Sequence, residues 1–429
     1  MRILCLSNGH GEDAIACAIL QQLQQQSDSL ELAALPLVGD GRAYAQLDIP
    51  IIGKVQTMPS GGFIYMDGRQ LARDVKGGLL QLTLAQYQAI RRSCKRGGAI
   101  LAVGDIVPLL FAWLSGVPYA FVGTAKSEYY LRDEAGPLPR QSRRERWEGW
   151  SGSVYLPWER WLMSRRRCKA VFPRDGLTTE TLQKFSIPAL DLGNPMMDGL
   201  EPSRRPSVFY ASDIELQETK RSLIITLLPG SRPPEAYANW QQILQSCLSL
   251  MKAFLPRPVM FLGAISPGLN LEPLRQSLEL QGWHEQNDES GKLDASSFTV
   301  HPSEVVFKKE NGTVILTQDA YNDCLHQGDL AIAMAGTATE QFVGLGKPAI
   351  ALPGNGPQFT PAFAEAQSRL LGPSLILVDQ PAKVAHVVQQ VLRDPDRLQL
   401  IAENGLRRMG ESGAARRIAS CLLERLGRR

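Results

Sequence analysis

A chain of 429 residues with 44% hydrophobic and 21% charged residues can bury a large core, which excludes disorder as its main state and predicts two or three domains. Lys and Arg number 46 against 43 Asp and Glu, and a net charge of +3 gives no argument for a nucleic-acid partner. The seven Cys are scattered without a Cys-x-x-Cys pair and the five His are dispersed, which argues against a disulfide framework, predicts no metal site, and suits a reducing, cytoplasmic setting.

The chain opens on an apolar run over residues 2–7 that predicts a buried strand. It is far too short for a signal segment. A turn, Asn8-Gly9-His10-Gly11-Glu12-Asp13, leads into a helix predicted over 13–26. Further strands are predicted at 100–103, 119–122, 223–228, 259–262, 314–316, 330–334 and 349–352, and helices at 108–114 and from Thr337. Residues 106–125 carry no formal charge over 20 positions, close to a membrane span. Pro108, Gly116-Val117-Pro118 and Gly123 break that run, so it predicts a short helix, a turn and a buried strand.

Two stretches share one grammar of strand, polar cluster, helix, Gly-x-Pro and strand: Gly104-Asp105 through Pro118, and Gly336-Thr337 through Pro348. The expected architecture is α/β, with two Rossmann-like doubly wound domains facing a cleft. The expected boundaries are 1–195 and 223–410, joined by a linker at 196–222 rich in Pro, Ser and charge. A C-terminal helix in 411–429 is placed to pack back on the first domain.

In open α/β sheets ligands bind at the carboxyl ends of strands, and three such ends carry suitable chemistry here. In Leu227-Leu228-Pro229-Gly230-Ser231-Arg232, the Gly230–Ser231 turn exposes backbone N–H groups and Arg232 adds a fork matched to phosphate oxygens. The same residues also read as a plain turn with a solvated Arg. In Gly336-Thr337-Ala338-Thr339-Glu340, small residues allow a close approach to a helix N-terminus, which favours a diphosphate, and Glu340 can accept from a ribose diol. Thr337-x-x-Glu340 is equally a capping box. The third end, residues 353–359, is a rigid polar loop in which Asn355 and Gln358 can hold sugar hydroxyls.

Together these segments resemble the donor half of nucleotide-sugar glycosyltransferases with the GT-B fold. The nearest resemblance is to lipid-A-disaccharide synthase and its related proteins in cyanobacteria and plants. It is carried by the Leu-Pro-Gly-Ser-Arg turn with Glu235 three residues on, by residues 193–198 (Gly-Asn-Pro-Met-Met-Asp), which look like that family's Gly-His-Pro hinge, and by Gly336 to Glu340. The resemblance spans most of residues 190–370 and is diffuse before that. It implies a UDP-sugar donor as substrate, no cofactor, and a lipid or lipid-linked acceptor handled by the first domain.

The amino-terminal motif departs from the synthase pattern, which has Gly-Glu-x-Ser-Gly-Asp where this chain has residues 8–13. Asn8, Gly9 and Gly11 are the expected acceptor-side residues. His10 reads either as a general base or as a helix cap. Asp105 is the better base, because it follows a buried strand and the resemblance implies an essential Asp nearby; its alternative is to cap the helix starting near Pro108. Glu128 and Asp133 are weaker candidates.

Between Arg140 and Lys169, nine basic residues face three acids, a local charge of +6, and Trp147, Trp150, Trp158 and Trp161 lie in the same stretch. Indoles beside Arg165, Arg166 and Arg167 predict a membrane-surface contact, and residues 58–66 a companion loop at the acceptor entrance. Base stacking on nucleic acid, or a solvated helix with Trp158 and Trp161 on its core face, are the alternatives. The expected protein is a cytoplasmic glycosyltransferase, peripheral at the inner face of a membrane. A UDP-sugar 2-epimerase and a non-catalytic nucleotide-sugar or lipid-binding protein are its rivals.

Overall fold

The computed structural model describes residues 1–27, 29–55, 79–95, 97–139, 149–203, 221–286 and 304–427, excepting the side chains of His10, Leu79 and Leu80. It divides into two compact units, Met1–Asp198 with Gly410–Arg429, and Gly199–Met409. Each is built on a largely parallel sheet covered by helices, the doubly wound arrangement that the strand, turn and helix pattern predicts.

In the first unit, β1 (Arg2–Ser7), β2 (Glu31–Pro36), β3 (Ala99–Gly104), β4 (Tyr119–Gly123) and β5 (Cys168–Phe172) run parallel in the order β2-β1-β3-β4-β5. Helices on both faces leave no wet side, which is why these strands are near-continuous apolar runs. Successive side chains serve opposite cores. Ile3 and Cys5 join Ile19 and Leu23 of α1 (His10–Gln26) with Ile418 and Leu422 of the C-terminal helix, Ala414–Gly427. Leu4 and Leu6 join Leu109 of α2 (Ile106–Ser115) and Leu162 and Met163 of α3 (Pro157–Met163). The chain's last helix thus completes the core beneath its first strand. It is fastened there by Asp198, which accepts backbone N–H groups from Gly413 at 2.5 Å, Ala414 at 3.0 Å and Ala415 at 2.7 Å.

The uncharged stretch 106–125 resolves into α2, a left-handed Gly116 with φ 88°, and β4. Among the described residues no helix is long and apolar enough to cross a membrane.

The second unit holds β6 (Leu223–Leu228), β7 (Val259–Ala264), β8 (Val305–Lys309), β9 (Gly312–Thr317), β10 (Leu330–Ala333), β11 (Ala349–Ala351) and β12 (Leu375–Leu377). From the two-residue edge strand His284–Glu285 the order is β8-β9-β7-β6-β10-β11-β12, with β9 to β12 of that row parallel and β8 antiparallel to β9. Residues 199–203, within the expected linker, are bound to this unit: Asn322 donates to the carbonyls of Gly199 (2.9 Å) and Glu201 (3.0 Å), and His326 Nε2 lies 2.7 Å from the Leu200 carbonyl. Residues 196–198 of that linker belong to the first unit, and residues 204–220 lie outside the described residues.

Candidate functional site

In the second unit β6, β10 and β11 are neighbours and parallel, so the three loops singled out in the sequence leave one edge of the sheet side by side. Gly230 has φ +98°, and a Cβ there would stand 3.2 Å from the Met334 carbonyl at the end of β10. Glycine is needed both for the turn and for that approach. The turn leads into α4 (Glu235–Ala253), whose first two turns hold all three loops. Glu235, buried, accepts the backbone N–H of Phe359 at 2.6 Å and of Gln358 at 3.3 Å, and Gly356 packs directly on its carboxylate. One turn on, Asn239 donates to the carbonyls of Pro229 at 3.0 Å and Met334 at 3.3 Å.

Helix α5 (Thr337–Gly344) begins with Gly336 as its N-cap residue, and no side chain caps that end. The capping-box reading of Thr337 and Glu340 is therefore corrected. Thr337 is already the first helical residue and exposed, whereas Glu340 is buried. The loop before α5 is fixed from behind: Thr339 Oγ1 donates to the Ala335 carbonyl at 2.6 Å, and Gln367 donates to Ala335 (3.2 Å) and Gly336 (3.0 Å). Ala338 is half-buried, Ser231, Asn355 and Gln358 are exposed, and Arg232 is half-buried. This edge thus has a hydrogen-bonded underside and polar side chains above it.

In the first unit β1, β3 and β4 are neighbours, and Asn8, Asp105 and Thr124 directly follow their ends. Gly104 has φ +129°, and a Cβ there would collide with Asn8 Oδ1 and lie 3.2 Å from Glu12 Cγ. Asp105 caps α2, accepting the Val107 N–H at 2.8 Å, so the capping role assigned from sequence is filled. The same carboxyl is mostly buried, which pushes its pKa above the usual carboxylate range. The Val107 N–H, a hydrogen bond from Asn8 and the charge of Lys126 pull the other way, while Glu159 adds to the rise. Lys126 is itself paired with Glu159 at 2.5 Å.

Glu12 is the residue the sequence reading passed over. Its carboxyl accepts Thr124 Oγ1 at 3.2 Å, and burial raises its pKa, with the charges of Asp105 and Asp13 adding to the rise. The available signal was a carboxylate in the first turn of a helix opened by a glycine loop. His10 is the first residue of α1, but Gly9 is the N-cap residue, so His10 does not cap the helix; its side chain lies outside the described residues. Gly11 is exposed beside it. Glu128 and Asp133 are spent on local structure. Glu128 is fully buried among Ser153 Oγ (2.5 Å), the Val154 N–H (2.8 Å) and Arg132 (2.9 Å). Asp133 accepts the N–H groups of Ala135 and Gly136 in a turn.

The Trp/Arg segment is described from Gly149 onward, so Trp147 and the basic residues 140–146 lie outside the described residues, as does the loop 58–66. The core-face reading of Trp158 and Trp161 is corrected. Leu162 and Met163 take the core side of α3, leaving Trp158 51% and Trp161 44% exposed, with Trp150 at 57%. Trp161 meets Trp113 of α2 edge-on at 5.2 Å, and the Arg165 guanidinium lies 4.4 Å over its ring. Arg160 covers the half-exposed Phe185 ring at 3.9 Å. Arg166 is exposed and Arg167 half-buried.

No family model and no curated protein matches the chain. Solved structures do. The UDP-GlcNAc 2-epimerase from Neisseria meningitidis bound to UDP-GlcNAc is similar at a TM-score of 0.53 and 15% identity, over 99% of this chain and 100% of that one. The Acinetobacter baumannii MurG is similar at 0.54 and 14%, over 99% of each chain. The calicheamicin glycosyltransferase CalG4 is similar at 0.55 and 13%, over 100% of this chain and 99% of its own. The chain has the GT-B fold. Likeness at this identity speaks of the fold, and activity has to be argued from the sites.

Proposed function

We propose that the chain is a glycosyltransferase that moves a sugar from a UDP-linked donor to a lipid-like acceptor at a membrane face, as its resemblance to lipid-A-disaccharide synthase suggests. The observation that carries this is the set of three loops at the ends of β6, β10 and β11, held by Glu235 and Asn239. On this reading Arg232 and the first-turn N–H groups of α5 take the diphosphate, Glu340 the ribose, and Asn355 and Gln358 the sugar hydroxyls. The acceptor hydroxyl gives its proton to the Asp105 carboxylate as its oxygen bonds to the anomeric carbon. The carbon–oxygen bond to the diphosphate breaks, and its electron pair leaves with UDP. Arg232 and the backbone N–H groups neutralise that leaving group, a task a divalent cation performs elsewhere.

A second reading, a UDP-sugar 2-epimerase, is favoured by one observation: two carboxyls whose pKa burial raises, Glu12 and Asp105, both lie at the first unit's strand ends. The discriminating assay incubates the protein with UDP-GlcNAc, with and without an anionic lipid extract. UDP release that depends on lipid supports transfer. Interconversion of the sugar without lipid supports the epimerase. UDP binding with neither leaves a binding protein.

A further inference from the structure

Along the helix that precedes β3, Leu79–Cys94, runs a groove of about 480 Å³, a volume in the range of small-molecule sites. Neither the three donor loops nor Asn8, Glu12 and Asp105 line it. One wall is the segment beside β2, where Ile52 donates its N–H to the Ala34 carbonyl at 2.9 Å. The other is the helix itself. The two are drawn together at Gly53, which has φ +76° and where a Cβ would stand 2.8 Å from that of Ala89. Buried Gln86 secures the junction, donating to the carbonyls of Leu37 at 2.9 Å and Lys54 at 3.4 Å. Arg2, Lys54 and Arg92 line this groove, and among its described lining residues there is no acid.

Arg2 decides what the groove can hold. Its Nε is buried and has no hydrogen-bond partner among the described residues. Its other contacts are long: Nη1 donates to the Ser93 carbonyl at 3.4 Å, and Nη2 lies 3.2 Å from Glu31, a carboxylate that is 68% exposed. Arg92 Nε donates to the Gln88 carbonyl, also at 3.4 Å. Firm guanidinium bonds are about 2.7–2.9 Å. The carboxyl end of the helix, the ordinary reason for cations there, therefore engages these two only weakly. Against the three cations stands the single Glu31 beside Arg2, and Arg91 and Lys95, both exposed, add positive charge at the same helix end. A buried donor left unpaired in a folded protein needs a partner, and an anion supplies one. We propose that the groove between residues 52–54 and the helix Leu79–Cys94 binds a phosphate group, with Arg2 as the fork that grips it and Lys54 and Arg92 as flanking charges. Ile52 and Ala89 offer an apolar flank to whatever carries the phosphate. That carrier is a soluble phosphate compound or the headgroup of an anionic lipid; the recognition chemistry is the same, and the two are separated by experiment. The assignment is independent of the donor site.

The test titrates the wild type, Arg2→Lys, the pair Lys54→Ala with Arg92→Ala, and Arg232→Ala with inorganic phosphate by calorimetry at constant ionic strength. Arg2→Lys keeps a cation at the helix end and loses the fork. The pair removes two exposed side chains, so thermal unfolding should find it as stable as the wild type. Phosphate affinity is expected to fall about tenfold in Arg2→Lys and in the pair, and to persist in Arg232→Ala, which touches only the donor edge. Absence of phosphate binding, unchanged affinity in both groove variants, or a loss confined to Arg232→Ala overturns the site. A second arm measures binding to vesicles of phosphatidic acid in phosphatidylcholine. Weaker vesicle binding by the groove variants, with inorganic phosphate competing in the wild type, makes the lipid headgroup the source. Phosphate binding that depends on the groove while vesicle binding does not makes the source a soluble phosphate compound. UDP affinity measured on the same proteins keeps the two sites apart: it should be unchanged in the groove variants, and its absence from the wild type would remove the proposed function without touching the groove.

Discussion

The Glu235 carboxylate holds the backbone N–H of Phe359 at 2.6 Å across 124 residues of sequence. It ties the turn after β6 to the loop after β11, with the α5 N-terminus between them. Because Glu235 is buried and accepts both N–H groups, its removal leaves two backbone donors of the 353–359 loop without that acceptor. Glu235→Ala is expected to weaken UDP-sugar binding more than UDP binding, since the loop it holds carries Asn355 and Gln358. Calorimetry with both ligands reads this. Equal losses would show that Glu235 supports the whole edge rather than the sugar loop.

Arg232 is assigned to the diphosphate. Arg232→Ala should weaken UDP binding by about 1.5–3 kcal/mol, the range for hydrogen bonds to a charged group, with little change in unfolding temperature. Unaltered UDP affinity would take Arg232 out of the site. Glu340→Gln is the companion. With the capping box absent, its loss should weaken UDP while leaving pyrophosphate binding unchanged.

Asp105→Asn should abolish transfer and leave UDP binding intact, because the proposed donor site lies in the second unit. Burial raises the Asp105 pKa, so the active, ionised form is gained only above the ordinary carboxylate range. The acid limb of the rate profile should therefore lie above the pH at which an exposed Asp titrates. Full turnover by Asp105→Asn with loss in His10→Ala would transfer the role to His10.

How far the sequence reached depends on which interactions are local. The strands over 2–7 and 223–228 were readable because a parallel strand buried on both faces is apolar at every step, and the turns because Gly230 and Gly104 mark backbone that other residues resist. The three loops at the ends of β6, β10 and β11 were singled out by the rule that ligands meet strand ends. What was hidden was long-range. Nothing near Glu235 announces a bond to residue 359, and nothing near Glu12 announces Thr124, because those contacts exist only once strand order is set. The Trp158 and Trp161 positions were ambiguous for a different reason. A seven-residue helix is too short for its periodicity to tell which face is inward.

Asp198 illustrates the same limit and gives a stability test. Its carboxylate accepts three N–H groups at the start of the C-terminal helix, which covers β1 through Ile418 and Leu422. Asp198→Ala should cost about 1–2 kcal/mol, the upper part of the range for losing a helix cap, and lower the first unit's Tm by several degrees. Asp198→Asn, which keeps an acceptor, should recover part of it. A wild-type Tm in Asp198→Ala would show that packing alone retains the helix.

The exposed indoles set the last expectation. Trp150, Trp158 and Trp161 face outward, and Arg166 is exposed beside them, while Arg165 lies over Trp161 and donates to its carbonyl at 3.0 Å. The surface thus offers apolar rings and guanidinium groups together, as a membrane interface requires. Each Lys or Arg near an anionic surface contributes about 1 kcal/mol, screened over a Debye length of about 8 Å at physiological salt. Binding to anionic vesicles should fall steeply with salt and be largely lost when Arg165, Arg166 and Arg167 are replaced by Ser. Trp158→Ala with Trp161→Ala should weaken binding at every salt concentration, because indole insertion is not screened. Equal binding to neutral and anionic vesicles would remove the cations from the argument. Absence of vesicle binding, or a salt-sensitive preference for single-stranded nucleic acid, would remove the membrane and with it the lipid acceptor.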